Sequence, residues 1–392
     1  MVIDTNQKAF FALLRAGLWG KEVRLFPLDS FGLSEVYNLA SEQAVLGLVA
    51  AGIDYYKAKG SQLELMQEWT LQLIGETLQL EEMNKSMNKF IAGLINRLCL
   101  ANINAILVKG QGLAQCYERP VWRGCGDVDL LLDAKNYEKA KQYLIPLAES
   151  VESEDSYCKH IGMTINSWVV ELHGSLHTEL SSRIDKKLDE IQNDTTASVG
   201  VRIWDNGDVK VLLPKVDNDV IFVFTHFLKH FYKGGIGLRQ ICDWCRLLWT
   251  YRSELDVKVL EVRVNEMGLL SEWKAFGAFA VEYLGMPIEA MPLFLKIRDE
   301  SVECRGRLKV RELKKYERKA DKILDFVMMA GNFGHNRDMS YQSKYPYVIR
   351  MFFTMRMRII DLIRHSRIFP LDSLKFFPKI ISDGVSSAMK GY

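Results

Sequence analysis

The stretch LVKGQGLAQCYERPVWRGCGDVDLLLD, residues 107–133, decides what fold and what chemistry to look for. It opens on the end of one short apolar run, NAILVKG (104–110), and closes on another, GDVDLLLD (126–133). Runs of this kind, bounded by Gly, Asn or Asp, read as buried strands. Within the second run Asp127 and Asp129 stand two apart. Side chains alternate along a strand, so both carboxylates share a face while Val128 turns to the core. Two carboxylates held close repel one another unless a cation lies between them, and oxygen donors of this kind suit Mg²⁺ or Mn²⁺. A bare D-x-D is commonly a solvated strand end, and the surroundings shift that balance. Val108-Lys109-Gly110-Gln111-Gly112 leads from a strand into a helix, a turn whose N–H groups can cradle a phosphate. Further on, Glu171 in SWVVELHG (167–174) offers a third carboxylate from another strand.

Working outward, helical stretches at 113–118 and 135–148 alternate with these runs, so the middle of the chain reads as a mixed α/β unit. The segment 199–213, VGVRIWDNGDVKVLL, holds two β-branched runs around Asn206-Gly207, a hairpin signal that closes the unit. Before it, apolar positions from Leu63 and Met66 through Met87, Leu94 and Leu98 recur at helical spacing. Ser41 reads as a helix start, and Gly52 and Gly60 as helix ends. After Pro214 the pattern is again helical, over 217–232, 235–251, 255–268 and 271–285, with a break at Pro287 and Pro292 and a charged helix near 307–321. The expected fold is α+β: a small mixed-sheet core at 101–213 flanked by an N-terminal helical region (1–100) and a C-terminal one (214–392).

Composition narrows the function. The chain has 392 residues, 48% hydrophobic and 26% charged, with a formal net charge of +2. That balance is globular, and it gives no whole-molecule field for nucleic-acid binding, so any phosphate recognition is local. Seven cysteines, an odd number, fit buried thiols in a reducing, cytoplasmic setting better than a disulfide framework. The longest apolar run, 44–53, is too short to span a bilayer. The basic amphipathic stretch 345–369 reads as a packed terminal helix in preference to a membrane-surface one.

The strand, glycine turn, helix and D-h-D strand together resemble the nucleotidyltransferase superfamily of DNA polymerase beta type. LVKGQGLAQCYERPVWRGCGDVDLLLD with VVELHGSLH is similar to a bacterial nucleotidyltransferase family, over roughly residues 100–250. The resemblance implies that Asp127, Asp129 and Glu171 hold catalytic divalent metal and that Gly110, Gln111 and Gly112 contact the phosphates of an NTP, with Lys109 and Arg123 supplying positive charge. It implies NMP transfer from that NTP to an unidentified acceptor, with a sugar or polysaccharide precursor suggested by family analogy alone. Gln111, where the family has a small hydroxyl residue, departs from the pattern. So does the long interval between Gly110 and Asp127.

The remaining polar motifs are weighed against packing. His173 and His177, with Glu171, form a weak zinc pattern, and His173 is instead expected to face substrate. Cys242 and Cys245 fall in a helix and read as buried packing. His226 and His230, one helical turn apart, and Arg239 and Asp243, likewise, can line the rim of the site, with Arg239 on substrate; the alternative is an Arg239–Asp243 ion pair. The loop GNFGHNR (331–337) is given no role. The rival to an enzyme is a catalytically inactive member of the same fold that binds or assembles.

Overall fold

The computed structural model describes residues 4–21, 30–59, 67–155, 158–197, 199–294, 303–332 and 344–390. Gly60, Leu63, Met66 and residues 333–337 lie outside them. Four helices lead in: α1 (Thr5–Trp19), α2 (Ser30–Glu42), α3 (Leu46–Ala58) and the long α4 (Gln67–Leu100). Then come β1 (Ile106–Val108), α5 (Gly110–Ala114), β2 (Asp127–Leu131), α6 (Ala134–Leu144), β3 (Ser150–Val151), β4 (His160–Ile165), β5 (Trp168–His173) and α7 (Ser182–Thr196). A hairpin, β6 (Arg202–Asn206) and β7 (Val209–Leu213), precedes α8 (Val216–Lys233), α9 (Leu238–Thr250), α10 (Val257–Met267) and α11 (Leu270–Glu282). The chain closes on α12 (Glu303–Ala330), α13 (Tyr347–Ser366) and α14 (Pro370–Lys390). The fold is α+β, a small mixed sheet flanked by helices. Among the described residues no helix is long and apolar enough to cross a membrane.

Five strands form the sheet in the order β1-β2-β5-β4-β3, with β2 parallel to β5 and the other pairs antiparallel. The alternation of side chains gives the sheet two unlike faces. Val128, Leu130, Ile161, Met163, Val170 and Leu172 point one way, into an apolar core shared with α6 and with α4, whose Met87, Ile91, Leu94 and Leu98 recur at helical steps. Asp127, Asp129, His160, Glu171 and His173 occupy the opposite phase. Burying each large apolar side chain contributes about 1.5–3 kcal/mol, so the core face fixes the register and thereby the polar face. β4 and β5 are joined by the two-residue turn Asn166-Ser167, both at positive φ (48° and 65°), which suits the twist of an antiparallel pair.

Three expectations are corrected. Ser41 ends a helix instead of starting one: Val45 N–H donates to the Ala40 carbonyl and Ala44 N–H to that of Ser41, with Ala44 at φ 54°, a left-handed helix stop, and α3 begins only at Leu46. Gly52 lies inside α3, where it serves close packing. A methyl group at Gly52 would stand 2.0 Å from the Leu13 carbonyl oxygen of α1, and one at Gly17 1.9 Å from that of Leu48. Gly52→Ala gains helix propensity worth at most about 1 kcal/mol, but a backbone clash forces the helices apart. We expect a net loss of about 3 kcal/mol in urea unfolding. The third correction concerns the hairpin, which turns on Gly207 and Asp208 because Asn206 already pairs with Val209. It forms a separate two-stranded sheet.

Candidate active site

Register brings the carboxylates together. In the parallel pair β2 and β5, Asp129 stands opposite Glu171 and Asp127 opposite Val169. One carboxylate oxygen from each of Asp127, Asp129 and Glu171 lies within 4.8 Å of the other two. Across the antiparallel pair β4 and β5, His160 faces His173, and Glu171, two residues before His173, falls on the same face. The sequence signals β2 and β5, the strands that carry the carboxylates; it does not signal β4, and with it His160.

Positive charge meets these carboxylates from one turn. Lys109 leaves β1 at φ 57°, sparsely populated for a residue with a side chain, and Gly110 follows at φ 42°. A methyl group at Gly110 would come within 3.2 Å of Cys125 Sγ. The Lys109 ammonium lies 2.6 Å from Asp129 Oδ1. Burial works against that charge, but Asp129, Glu171 and Asp127 outweigh it and raise the Lys109 pKa. His173 Nε2 lies 2.7 Å from the same Asp129 oxygen, and His160 Nε2 3.1 Å from Glu171 Oε2. A carboxylate only accepts, so the imidazole nitrogens donate.

The titration behaviour follows from these contacts. Repulsion from Asp129, reinforced by burial, raises the pKa of Asp127. Burial opposes the charge on Glu171, yet the hydrogen bonds from His160 and His173 and the nearby Lys109 hold its carboxyl well below the usual range. Burial likewise opposes protonation of His173, and its bonds to Asp129 and Glu171 prevail, raising it. Asp129 itself is only 1% exposed and lies behind the surface of the site.

A cavity of about 320 Å³ opens over this face, with Lys109, Asp127, Glu171 and His173 in its lining. Its far wall is α8, which presents Phe222, His226, Lys229 and His230. His177 joins them from the segment after β5, with its Nε2 2.7 Å from Asp189 Oδ1. Five of the seven histidines in the chain therefore line one cavity. His226 and His230 approach to 3.2 Å between Nε2 atoms. Burial, then neighbouring cations, pushes His226 well down and His230 to about 3, so both are neutral imidazoles at physiological pH.

Other residues expected here are placed elsewhere. Gly110, Gln111 and Gly112 are buried and absent from the cavity lining. The Gln111 amide donates to Asn84 Oδ1 at 2.6 Å, tying α5 to α4 in the interior. Arg123, expected on phosphate, is buried and forks onto Asp243, with Nε 3.1 Å and Nη2 2.6 Å from its two oxygens, while the Tyr117 hydroxyl donates to Asp243 at 2.8 Å. A buried guanidinium needs a buried carboxylate, and Asp243 is the one in reach. The carboxylate of Asp243 is thus taken by Arg123, and Arg239 donates to the Gly124 carbonyl at 2.7 Å. Cys242 and Cys245 are fully buried within α9, as packing requires.

The donor set suits a hard divalent cation: three carboxylate oxygens within 4.8 Å of one another, two of them, from Asp127 and Glu171, on residues that line the cavity, with Asp129 just behind them. Residues 29–285, roughly two thirds of the chain, match the model of a family described as an uncharacterised nucleotidyltransferase. The matched segment contains the whole sheet and every residue of this site. No curated protein and no solved structure matches.

Proposed function

The chain belongs to the family of uncharacterised nucleotidyltransferases, and from that premise we propose that it transfers a nucleoside monophosphate from an NTP to an acceptor hydroxyl, with Asp127, Asp129 and Glu171 holding Mg²⁺ or Mn²⁺. The observation that carries this reading is the meeting of three carboxylates from β2 and β5 on the polar face of the sheet, beneath an open cavity. The strand, turn, helix and strand order supports membership of the polymerase beta-like superfamily.

A divalent ion held by these oxygens supplies charge to the triphosphate and acidifies an attacking hydroxyl. The chain does the rest. His173 fixes the orientation of Asp129, and His160 that of Glu171. Lys109 keeps positive charge against the carboxylates, and it lines the cavity together with the Lys229 ammonium of α8, where either can meet an incoming phosphate. The acceptor hydroxyl oxygen bonds to the α-phosphorus as the bond from that phosphorus to pyrophosphate breaks, and the hydroxyl proton passes to solvent in the cavity. On the α8 wall His226 and His230 are neutral imidazoles whose Nε2 atoms pair with one another, one donating and one accepting, beside the cavity.

One contact favours a second reading, a chain that binds or assembles without turnover: the Lys109 ammonium neutralises Asp129 with no added ion. An acceptor screen separates the two. Each α-labelled NTP with Mn²⁺ is incubated with sugars and sugar phosphates, polysaccharide precursors, proteins and RNA. Label appearing on one acceptor, with stoichiometric pyrophosphate, is the expected result. Intact NTP with every acceptor, while NTP still binds, overturns transfer in favour of the second reading.

A further inference from the structure

Beside the three carboxylates, His160, Glu171 and His173 form a second donor cluster, two imidazole nitrogens and one carboxylate oxygen within 4.8 Å of one another. We propose that this cluster is a distinct site for a divalent transition metal of the Zn²⁺ or Co²⁺ class, opening onto the cavity. It shares Glu171 with the proposed Mg²⁺ or Mn²⁺ centre and so deepens that reading.

Strand geometry builds the cluster. His160 and His173 are direct partners across β4 and β5, and Glu171 is the diagonal neighbour, so backbone pairing alone brings all three together. The spacing fits one ion. Two donors, each about 2.1 Å from a tetrahedral centre, lie about 3.4 Å apart. Glu171 Oε2 lies 3.1 Å from His160 Nε2 and 3.5 Å from His173 Nε2, on either side of that value. The chemistry is selective: imidazole suits later first-row ions such as Co²⁺ and Zn²⁺, whereas Mg²⁺ and Mn²⁺ prefer an oxygen shell. Two histidines and one carboxylate also leave a coordination position for water or substrate, the pattern of catalytic and not structural zinc sites. All three residues line the cavity, so that position faces it. When His173 turns to a metal, Asp129 retains the Lys109 ammonium as a partner.

Cobalt reports on this site without any nucleotide. Metal-free chain is titrated with Co²⁺, following the intense visible absorption of nitrogen-ligated, four-coordinate cobalt. The wild type is expected to develop the band, and Zn²⁺ to displace it where millimolar Mg²⁺ does not. His160→Ala should weaken binding at least about tenfold, with an unchanged melting curve, and Asp127→Asn should keep the band. Absence of the band in the wild type overturns the proposal, even where Mg²⁺ and NTP bind through Asp127. So does a band that His160→Ala leaves intact, or one that Mg²⁺ removes as readily as Zn²⁺. Should the variant fold poorly, the displacement series on the wild type decides alone. A band that behaves as expected supports the site even where no NTP binds, so this proposal and nucleotidyl transfer fail separately.

Discussion

Arg123→Ala is expected to lose about 3–5 kcal/mol of stability in urea unfolding. The variant leaves Asp243 ionised or forced to protonate inside the protein, with Tyr117 as its remaining hydrogen-bond donor. Lysine does not rescue it, because the existing contact uses two guanidinium nitrogens on two carboxylate oxygens. Removing both partners is different. Arg123→Met with Asp243→Leu takes away both buried charges and should recover most of the loss. A phosphate-binding arginine would behave in the opposite way, with stability kept and NTP affinity lost. Unchanged unfolding in Arg123→Ala would return the residue to the substrate.

The largest functional effect is expected at β2. Asp127→Asn and Asp129→Asn should each lower metal-dependent transfer by at least about a thousandfold, about 4 kcal/mol of transition-state stabilisation, measured with whichever acceptor the screen identifies. The two differ in the folded state. Asp129 is buried against Lys109 and His173, so its loss strands a buried ammonium and destabilises the chain as well. Asp127 is partly exposed at the cavity, and its carboxyl is already pushed toward its neutral form by Asp129. Its replacement should leave unfolding nearly unchanged, or slightly more costly, because one like charge is removed. Equal stability losses would show that the Lys109 pairing is shared, which the separation of roles between the two aspartates forbids.

Much of this site could be read from period-two alternation, because a strand needs no partner to declare which residues share its face. That alternation puts Asp127 with Asp129, and the folded β5 obeys the same rule for Glu171 and His173. Which strands lie side by side is a tertiary fact, and here β5 reaches β2 with β4 on its other edge. β4 is hard to see because HIGMTI carries Gly162 and Met163 where β-branched residues would mark a strand. The Asn166-Ser167 turn was the available signal for this hairpin, and with it for His160. Helical spacing misled at Asp243. Four residues from Arg239 it looks like a local ion pair, yet burial gives it to Arg123, 120 positions away in the chain. Gln111 shows the same competition, since a side chain beside a phosphate-like turn found a buried amide partner on α4.

The most direct test is calorimetry of a non-hydrolysable NTP against the wild type and Asp127→Asn, each with and without Mn²⁺. Cation-dependent binding is expected in the wild type, with Mn²⁺ strengthening NTP affinity at least about tenfold, or about 1.4 kcal/mol, and the coupling is expected to vanish in the variant while its melting curve is kept. Equal NTP affinity with and without Mn²⁺ in the wild type, or coupling that survives Asp127→Asn, would contradict a cation centre at these carboxylates.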